Sequence, residues 1–359
     1  MTELIYCAAG SSKFAPIAIR HGWHYGAQLP ATVYHPPYFI DQNWRKPDRS
    51  KYMQALEEHR PALATVLDFE RPNQYSEVMA WAEEAAALVS EAVIVIPKVV
   101  GSIPDIPQEI GGRSVRLGYS VPTRFAGTGV PAWEFAGRDV HLLGGSPQQQ
   151  MKFAQHATGA RVASADGNYA QKVAHRGMVY TGKWERMNTL GPSVTDELPY
   201  LSFELSTINI RNGWQRLPGF IRFAHEGDLP AIVKIMRCYP QELGGVFYPS
   251  LRRGIAAREL YVHVMANEIA GFVNWHTVTR GKNAGSSTIY EIAVHPKWRG
   301  LGCGRALLNA VPSPVRLKCT QDNMRGNGFY SHVGLQIIGT ETGKHRSLNV
   351  WMNKQEQSR

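Results

Sequence analysis

The strongest constraint on the fold is a strand-like run that leads through a proline into a turn with three glycines. Residues 289–294 are apolar and rich in β-branched side chains, which favours a strand, and Pro296 cannot continue a central one. Glycines at positions 300, 302 and 304 allow backbone conformations that other residues avoid. The segment is therefore predicted to fold as strand, turn and helix.

A turn of this kind favours the binding of an anion. The first turn of a helix has unpaired N–H groups and the positive end of the helix dipole, and Arg299 and Arg305 flank the predicted helix start. No Lys-Ser or Lys-Thr pair follows Gly304, which excludes a Walker loop, and the glycine spacing is not that of a dinucleotide fold. We therefore predict a pyrophosphate site.

Two motifs in the second half of the chain resemble those of one enzyme superfamily. Residues 299–304 read Arg-Gly-x-Gly-x-Gly after a strand that ends in Ala-Val-His-Pro, and this resembles the coenzyme A signature of the GNAT acyltransferases. Residues 327–335, Asn-Gly-Phe-Tyr-Ser-His-Val-Gly-Leu, resemble the later helix motif of the same superfamily. Two motifs in this order are more specific than either alone. The resemblance covers roughly residues 218–355.

This resemblance implies an acyltransferase that uses acetyl-CoA or another acyl-CoA. The Val294 N–H would polarise the thioester carbonyl, Asn327 would contact the pantetheine arm, and Tyr330 would donate a proton to the departing thiolate. The implied pyrophosphate ligands are Arg299, Gly300, Gly302, Gly304 and Arg305.

The sequence contains several candidates for the general base. Glu291 lies on the motif strand and would serve as the base if a pocket raised its pKa. The alternative is a structural carboxylate paired with a basic neighbour. The rival bases are His263, His276 and His295.

Length and composition predict two globular domains. The chain has 359 residues, 43% of them hydrophobic, and no apolar run approaches the roughly 18 residues of a membrane span. Without a secretory leader pattern, we expect a cytoplasmic protein with no membrane partner. We predict an α/β chain: a β/α domain over residues 1–182, a linker over 183–217 and a GNAT α+β domain over 218–359.

The first half of the chain alternates apolar strands with amphipathic helices. Strands are expected near residues 62–69, 92–96, 115–119, 140–143 and 161–165, and helices near 75–89, 147–156 and 169–175. This pattern predicts β/α architecture, either a barrel or an open sheet.

In such folds the chemistry lies at the carboxyl ends of the strands. Asp68, His141 and Asp166 fall near predicted strand ends and are candidates for handling a nucleic-acid base. Residues 140–147 faintly resemble a strand and loop of the tRNA-guanine transglycosylase barrels, although the zinc-binding cysteine cluster of that family is absent. A barrel that binds nucleic acid without exchanging bases is an equal alternative.

We predict no metal site. His21 and His24 are three residues apart, a spacing that suits a metal-binding helix face, but Gly22 and Gly26 argue against a helix there. The four cysteines form no C-x-x-C pair.

The positive charge is concentrated in the second half. Residues 1–217 hold 21 Lys+Arg and 20 Asp+Glu, a net +1, whereas residues 218–359 hold 18 and 9, a net +9. Such a surface attracts polyanions, either coenzyme A alone or nucleic acid as well. A basic acyltransferase domain joined to a β/α domain resembles the Mom-type DNA-modifying enzymes of bacteriophages. This resemblance implies acylation of a base amine of the adenine N6 type, in DNA rather than tRNA.

Two other functions stay open at this point. One is an acetyltransferase for a small amine or a protein lysine, with an accessory N-terminal domain. The other is a nucleic-acid-binding protein without catalysis.

Overall fold

A computed structural model describes residues 2–8, 13–29, 32–123, 127–157, 159–187, 197–343 and 346–353. The chain divides into two units, Met1–His175 and Arg176–Arg359. The first unit therefore ends before the predicted boundary at residue 182.

Unit 1 is built on a parallel sheet that closes on itself. Its strands are β1 (Glu3–Cys7), β2 (His24–Gln28), β3 (Phe39–Asp41), β4 (Leu63–Phe69), β5 (Ala92–Pro97), β6 (Glu109–Ile110), β7 (Arg113–Ser120), β8 (Asp139–Leu143) and β9 (Arg161–Gly167). Neighbouring strands pair in the order β1-β2-β3-β4-β5-β7-β8-β9, and β9 pairs with β1, so eight parallel strands form a ring. Strand β6 only adds a short antiparallel hairpin to β7. Of the two predicted architectures, the barrel is the one that the structure shows.

Helices follow several of these strands, as in β/α folds. They are α1 (Ala15–Arg20), α2 (Arg49–His59), α3 (Tyr75–Ala86), α4 (Pro147–His156) and α5 (Tyr169–Ala174). Helix α4 begins with a capping box, in which Ser146 Oγ accepts from Gln149 N at 3.3 Å and Gln149 Oε1 accepts from Ser146 N at 3.1 Å.

The barrel interior is filled with apolar side chains. Ile5, Phe39, Leu63 and Ile94 have no exposed surface and pack in one cluster. Strand β2 passes this cluster so closely that a Cβ atom on Gly26 would lie 2.9 Å from both Ile5 and Phe39. Only glycine fits at that position without displacing a neighbour.

Unit 2 is built on a seven-stranded mixed sheet. After a small hairpin of β10 (Met178–Tyr180) and β11 (Trp184–Arg186), the sheet strands are β12 (Phe220–Phe223), β13 (Leu260–Met265), β14 (Glu268–Thr277), β15 (Ser287–Val294), β16 (Val315–Thr320), β17 (Leu335–Thr342) and β18 (Ser347–Asn353). Their order is β12-β13-β14-β15-β16-β18-β17, and β15–β16 is the parallel pair. The helices are α6 (Leu198–Trp214), α7 (Leu229–Met236), α8 (Pro240–Leu243), α9 (Tyr248–Ala256), α10 (Cys303–Ala310) and α11 (Met324–His332).

The second part of the predicted linker over residues 183–217 contains a helix, α6. Helix α6 is largely buried, and the side-chain amide of Asn209 bonds to both the N–H and the carbonyl of Ile221 in β12, at 2.7 and 3.0 Å. Serine, threonine and asparagine side chains make this helix look polar in sequence, but several of them are buried and bonded. Residues 188–196 lie outside the described part of the chain.

Candidate functional site

The centre of unit 2 is a gap between its two parallel strands. β15 and β16 pair only through residues 287–289 and 315–317, and beyond Ile289 the two strands separate. A cavity of about 780 Å³ lies there, lined by both strands, by the glycine turn and by α11. The strand, turn and helix predicted from residues 289–308 form one wall of this cavity.

The glycine turn delivers unpaired N–H groups to the cavity. Gly300 and Gly302 have φ of +76° and +83°, in the left-handed region that favours glycine. The first helical bond of α10 runs from Ala306 N to Gly302 O at 2.9 Å, so the N–H groups of Cys303, Gly304 and Arg305 come before the helical ladder.

The turn is closely packed as well as open to a ligand. A Cβ atom on Gly302 would lie 2.8 Å from Leu217, and one on Gly304 would lie 3.0 Å from the ring of Phe329. Leu307 of α10 is fully buried, which contributes roughly 1.5–3 kcal/mol to holding the helix start in place.

The cavity wall is positively charged. Its basic side chains are Arg299, Arg305, Lys318 and Arg325. Lys318 is paired with Glu341, whereas within the described ranges no carboxylate lies within ion-pair distance of Arg299 or Arg305. The glycine cradle, the helix start and the free cations fit a diphosphate group.

Backbone polar groups of β15 also face the gap. His295 N donates to Ala270 O at 2.8 Å, so the adjacent pair, Val294 with Gly271, is a non-hydrogen-bonded pair of the antiparallel ladder. The N–H of Val294 is thus directed away from β14, toward the side where β16 has separated. This is the position expected of a group that polarises a carbonyl in the cavity.

Glu291 is half-buried beside α9. Asn274 Nδ2 donates to Glu291 Oε2 at 2.6 Å, and Asn274 itself has no exposed surface. Burial raises the pKa of Glu291 above its ordinary value, while the Asn274 hydrogen bond and the charge of Arg253 oppose that rise. The pKa shift is thus in the direction that a general base requires, although the Glu291 side chain does not line the cavity.

The rival histidines differ from Glu291. His263 is buried, and burial lowers its pKa to about 4 even though its Nε2 lies 2.8 Å from Pro218 O. His276 Nδ1 lies 3.1 Å from Glu259 Oε2, and His295 Nδ1 accepts from Lys297 N. Like Glu291, none of the three lines the cavity.

Tyr330 lines the cavity from α11. Its ring packs 5.9 Å from that of Trp351, and burial raises the pKa of its hydroxyl, with the nearby Cys319 adding to the rise. The phenol is therefore held in its protonated form, which a proton donor requires.

Asn327 does not line the cavity, so its predicted contact with the pantetheine arm is not what the structure favours. Its Nδ2 donates to Thr320 O and Asn323 O, and its Oδ1 accepts from Asn349 and Trp351. The side chain fastens α11 to the ends of β16 and β18. The amide that was predicted to bind a ligand is occupied by the protein.

A second set of polar residues lies in the barrel of unit 1. His141 is fully buried, with Nδ1 2.7 Å from Ser164 Oγ and Nε2 3.3 Å from Asp166 Oδ1, which also accepts from Gly144 N. Asp68 lies 3.6 Å from the ammonium of Lys98. The structure therefore joins His141 to Asp166, while Asp68 has a different partner.

The sequence analysis missed Asp41, the last residue of β3. Its carboxylate accepts from Thr65 Oγ1 at 2.9 Å and Gln28 Nε2 at 2.8 Å. Burial, and then the charge of Asp166, raise the pKa of Asp41 to about 7. An aspartate directly after a short apolar strand was the available signal, as at Asp166.

The structure gives no support to metal binding near His21. His21 follows α1 and is buried, and His24 begins β2. Across the residues with described positions, no group of three His, Cys, Asp or Glu side chains could hold a metal ion. Nor does any helix in those residues have the length and apolarity to cross a membrane.

Comparisons with known proteins separate the two halves of the chain. A model of the acetyltransferase (GNAT) domain matches residues 256–336, and a model of a family of unknown function, DUF6610, matches residues 18–215. No curated protein matches the chain. The GNAT match confirms the predicted C-terminal domain and its class, an acyltransferase that uses acetyl-CoA or another acyl-CoA. Neither the Mom-type nor the transglycosylase resemblance is supported by a match.

Three solved structures are similar to part of the chain. They are a GNAT-family acetyltransferase from Bacillus cereus (17% identity, 38% of this chain and 97% of that chain, TM-score 0.33), Ard1 from Thermoplasma volcanium (19%, 38% and 97%, 0.33) and Arabidopsis thaliana Naa50 in complex with the bisubstrate analogue CoA-Ac-MVNAL (18%, 37% and 97%, 0.33). Similarities with such low identities and TM-scores do not indicate the substrate of this chain.

Proposed function

The chain belongs to the family of unknown function DUF6610, whose model spans more than half of it, and we propose that its GNAT domain acylates an amine of a nucleic-acid base. Acyl-CoA supplies the acyl group as a thioester. The observation that supports the donor site is the gap between β15 and β16, where a glycine cradle, free cations and an available backbone N–H meet.

We assign roles at this site to residues of unit 2. Gly300, Gly302, Gly304, Arg299 and Arg305 hold the diphosphate, and the Val294 N–H donates to the thioester oxygen. Glu291 accepts a proton from the acceptor amine, and Tyr330 donates one to the leaving sulfur. The raised pKa of Glu291 suits a base that works near neutral pH, and Tyr330 lines the cavity as a protonated phenol.

The acceptor that we propose is an amine of a nucleic-acid base. The net charge of +9 on residues 218–359 exceeds what one bound coenzyme requires, and a positive surface of this size attracts a polyanion. A base amine of the adenine N6 type, in DNA rather than tRNA, would have to leave its stack to reach Glu291.

Mass spectrometry of nucleosides tests the acceptor. The full chain and a Gly302→Glu control are expressed in a bacterial host, and DNA and tRNA from both are digested to nucleosides. We expect a new acylated nucleoside in DNA from the first culture only. Unmodified DNA and tRNA would reject the nucleic-acid acceptor and favour a small amine or a protein lysine, whereas a new mass in tRNA alone would reverse the preference for DNA.

We also propose that the barrel of unit 1 handles a base at the carboxyl ends of its strands. Asp68 and Asp166 lie near the ends of β4 and β9, and in a closed parallel barrel all carboxyl ends meet at one mouth. His141 would orient Asp166 from below, and the carboxylates would accept hydrogen bonds from the N–H edge of a base.

Calorimetry with adenine, guanine and their nucleosides tests this second site. Asp166→Asn should weaken binding at least tenfold, whereas Asp139→Asn, at the start of β8 and so at the other end of the barrel, should not. Binding that both variants keep would contradict the assignment, as would no binding to the unaltered chain.

A further inference from the structure

Tyr239 contacts two parts of the acyl-CoA site, the side chain of Arg299 and the end of β15 at Val294. We propose that Tyr239 is a positioning residue, an inference that rests on the proposed function. Tyr239 holds the guanidinium of Arg299 and the end of β15 at Val294 at the spacing that the acyl donor requires. Tyr239 follows α7 and lies outside both motifs.

The contacts of Tyr239 use the whole bonding capacity of its hydroxyl. The hydroxyl donates to the carbonyl of Val294, and it accepts from Arg299 Nε at 2.9 Å and Nη2 at 2.5 Å. A phenol has one donor and two acceptor positions, so all three are taken. The guanidinium carbon also lies 4.8 Å from the centre of the Tyr239 ring, which adds a cation–π contact.

These contacts hold Arg299 without neutralising its charge. Arg299 is exposed, and a long flexible side chain at an exposed position pays an entropy cost to bind a ligand. Tyr239 is only 8% exposed and is packed in the core beside α7, so it is a rigid anchor. Because the anchor is a neutral oxygen and only two of the nitrogens are used, the positive charge stays available for a phosphate.

The same hydroxyl also fixes the end of β15. The Val294 carbonyl belongs to the peptide whose N–H, on His295, is bonded to Ala270 O. With Tyr239 on the carbonyl, this peptide is held at both ends, and the preceding N–H of Val294 keeps its direction toward the gap. One side chain thus sets the spacing between the phosphate ligand and the carbonyl-polarising group.

The test variant is Tyr239→Phe, which keeps the ring and its cation–π contact but removes the oxygen. Its matched control is Tyr180→Phe, since Tyr180 is a tyrosine of unit 2 that is 6% exposed and lies outside the cavity. Calorimetry with coenzyme A should show binding at least tenfold weaker for Tyr239→Phe and unchanged for the control, with both melting temperatures recorded.

A second variant shows whether Tyr239 acts through Arg299. Arg299→Lys keeps the charge at an exposed position but loses the planar pair of donors, so it should weaken binding by a similar factor. Adding Tyr239→Phe to the Arg299→Lys variant should then weaken coenzyme A binding by a smaller factor than Tyr239→Phe does in the unaltered chain.

The outcomes separate the two proposals. If the unaltered chain does not bind coenzyme A, the proposed function fails. If it binds and Tyr239→Phe binds equally well, only the role of Tyr239 is overturned. Fully additive losses in the double variant would also overturn it, because Tyr239 would then act independently of Arg299. If Tyr239→Phe fails to fold, the single Arg299→Lys variant decides, and unchanged binding there counts against the proposal.

Discussion

Asn274 donates a 2.6 Å hydrogen bond to the carboxylate of Glu291, and the same Nδ2 atom also lies 3.1 Å from Ser250 Oγ. A hydrogen bond donated to a carboxylate favours its ionised form, so Asn274 opposes the rise in pKa that burial imposes on Glu291. The pKa of the proposed base thus depends on its burial and, in the opposite direction, on an asparagine of the neighbouring strand β14.

We expect Asn274→Ala to raise the pKa of Glu291 further. If Glu291 is the base, activity falls as the pH drops through its pKa, so this acidic limb of the pH profile of kcat/KM should move to higher pH. Ser250→Ala is the control, because it removes the other partner of Asn274 and leaves the bond to Glu291. Glu291→Gln should lower kcat about 100-fold or more. An acidic limb that stays in place in Asn274→Ala would assign it to another group.

Gly302→Ala should weaken coenzyme A binding at least tenfold. The new Cβ would lie 2.8 Å from Leu217 at a φ of +83°, which strains the start of α10 by roughly 1–2 kcal/mol. Gly281→Ala is a matched control, since Gly281 has a φ of +81° with open space around it. Calorimetry on both variants separates backbone strain in general from damage to the turn. Equal affinities would show that the turn does not bind the coenzyme.

Tyr330→Phe should slow transfer more than it weakens binding. The ring packing against Trp351 is kept, but the proton donor for the leaving sulfur is lost. We expect kcat to fall roughly 100-fold while KM for acyl-CoA changes less than about threefold. Tyr248→Phe, at an exposed tyrosine, is the control. A change confined to KM would instead indicate a packing or binding role for Tyr330.

Asp41→Asn should reduce the pH dependence of stability. The carboxyl of Asp41 has a pKa of about 7 in the folded chain and an ordinary value of 3.8, so folding favours its protonated form. The stability that this group provides is present at low pH and is lost as the pH rises from about 4 to about 7. Between pH 5 and pH 8 the melting temperature of the variant should therefore fall less than that of the unaltered chain.

The control for this change is Asp105→Asn, at an exposed aspartate of the same unit. In the Asp41→Asn variant, Gln28 must rotate its amide to accept from the new side-chain amide, which a modest loss of stability at all pH values would reveal. Identical pH dependence in the unaltered chain and the Asp41→Asn variant would mean that Asp41 is already ionised when folded.

Local patterns predicted the glycine turn well because its chemistry is local. Gly300 and Gly302 have left-handed backbone, and Gly302 and Gly304 leave no room for a Cβ atom, so each position favours glycine for a local reason. Asp228, which directly precedes α7, shows the opposite case. In the structure its carboxylate makes no capping bond to α7 but accepts from the guanidinium of Arg222 at 2.6 and 2.8 Å and from His225 N at 2.9 Å.

Local sequence patterns could not predict the roles of residues whose partners are distant in the chain. Helix α6 has too many polar residues for a simple apolar stripe. Its burial becomes apparent only from the hydrogen bond between Asn209 of α6 and Ile221 of β12. Asn327 matches a motif, yet its amide is taken by Asn349 and Trp351, more than twenty residues later. The link from Tyr239 to Arg299 spans sixty positions and has no sequence signature.

The separation of β15 from β16 creates an edge in the interior of a sheet. Three residue pairs hold the two halves together there, and further along both strands show unpaired backbone to the cavity. Exposed strand edges invite pairing with any extended chain. A bound acyl donor would therefore do more than react: by filling this seam it would brace the two halves and shield the protein from strand addition by its neighbours.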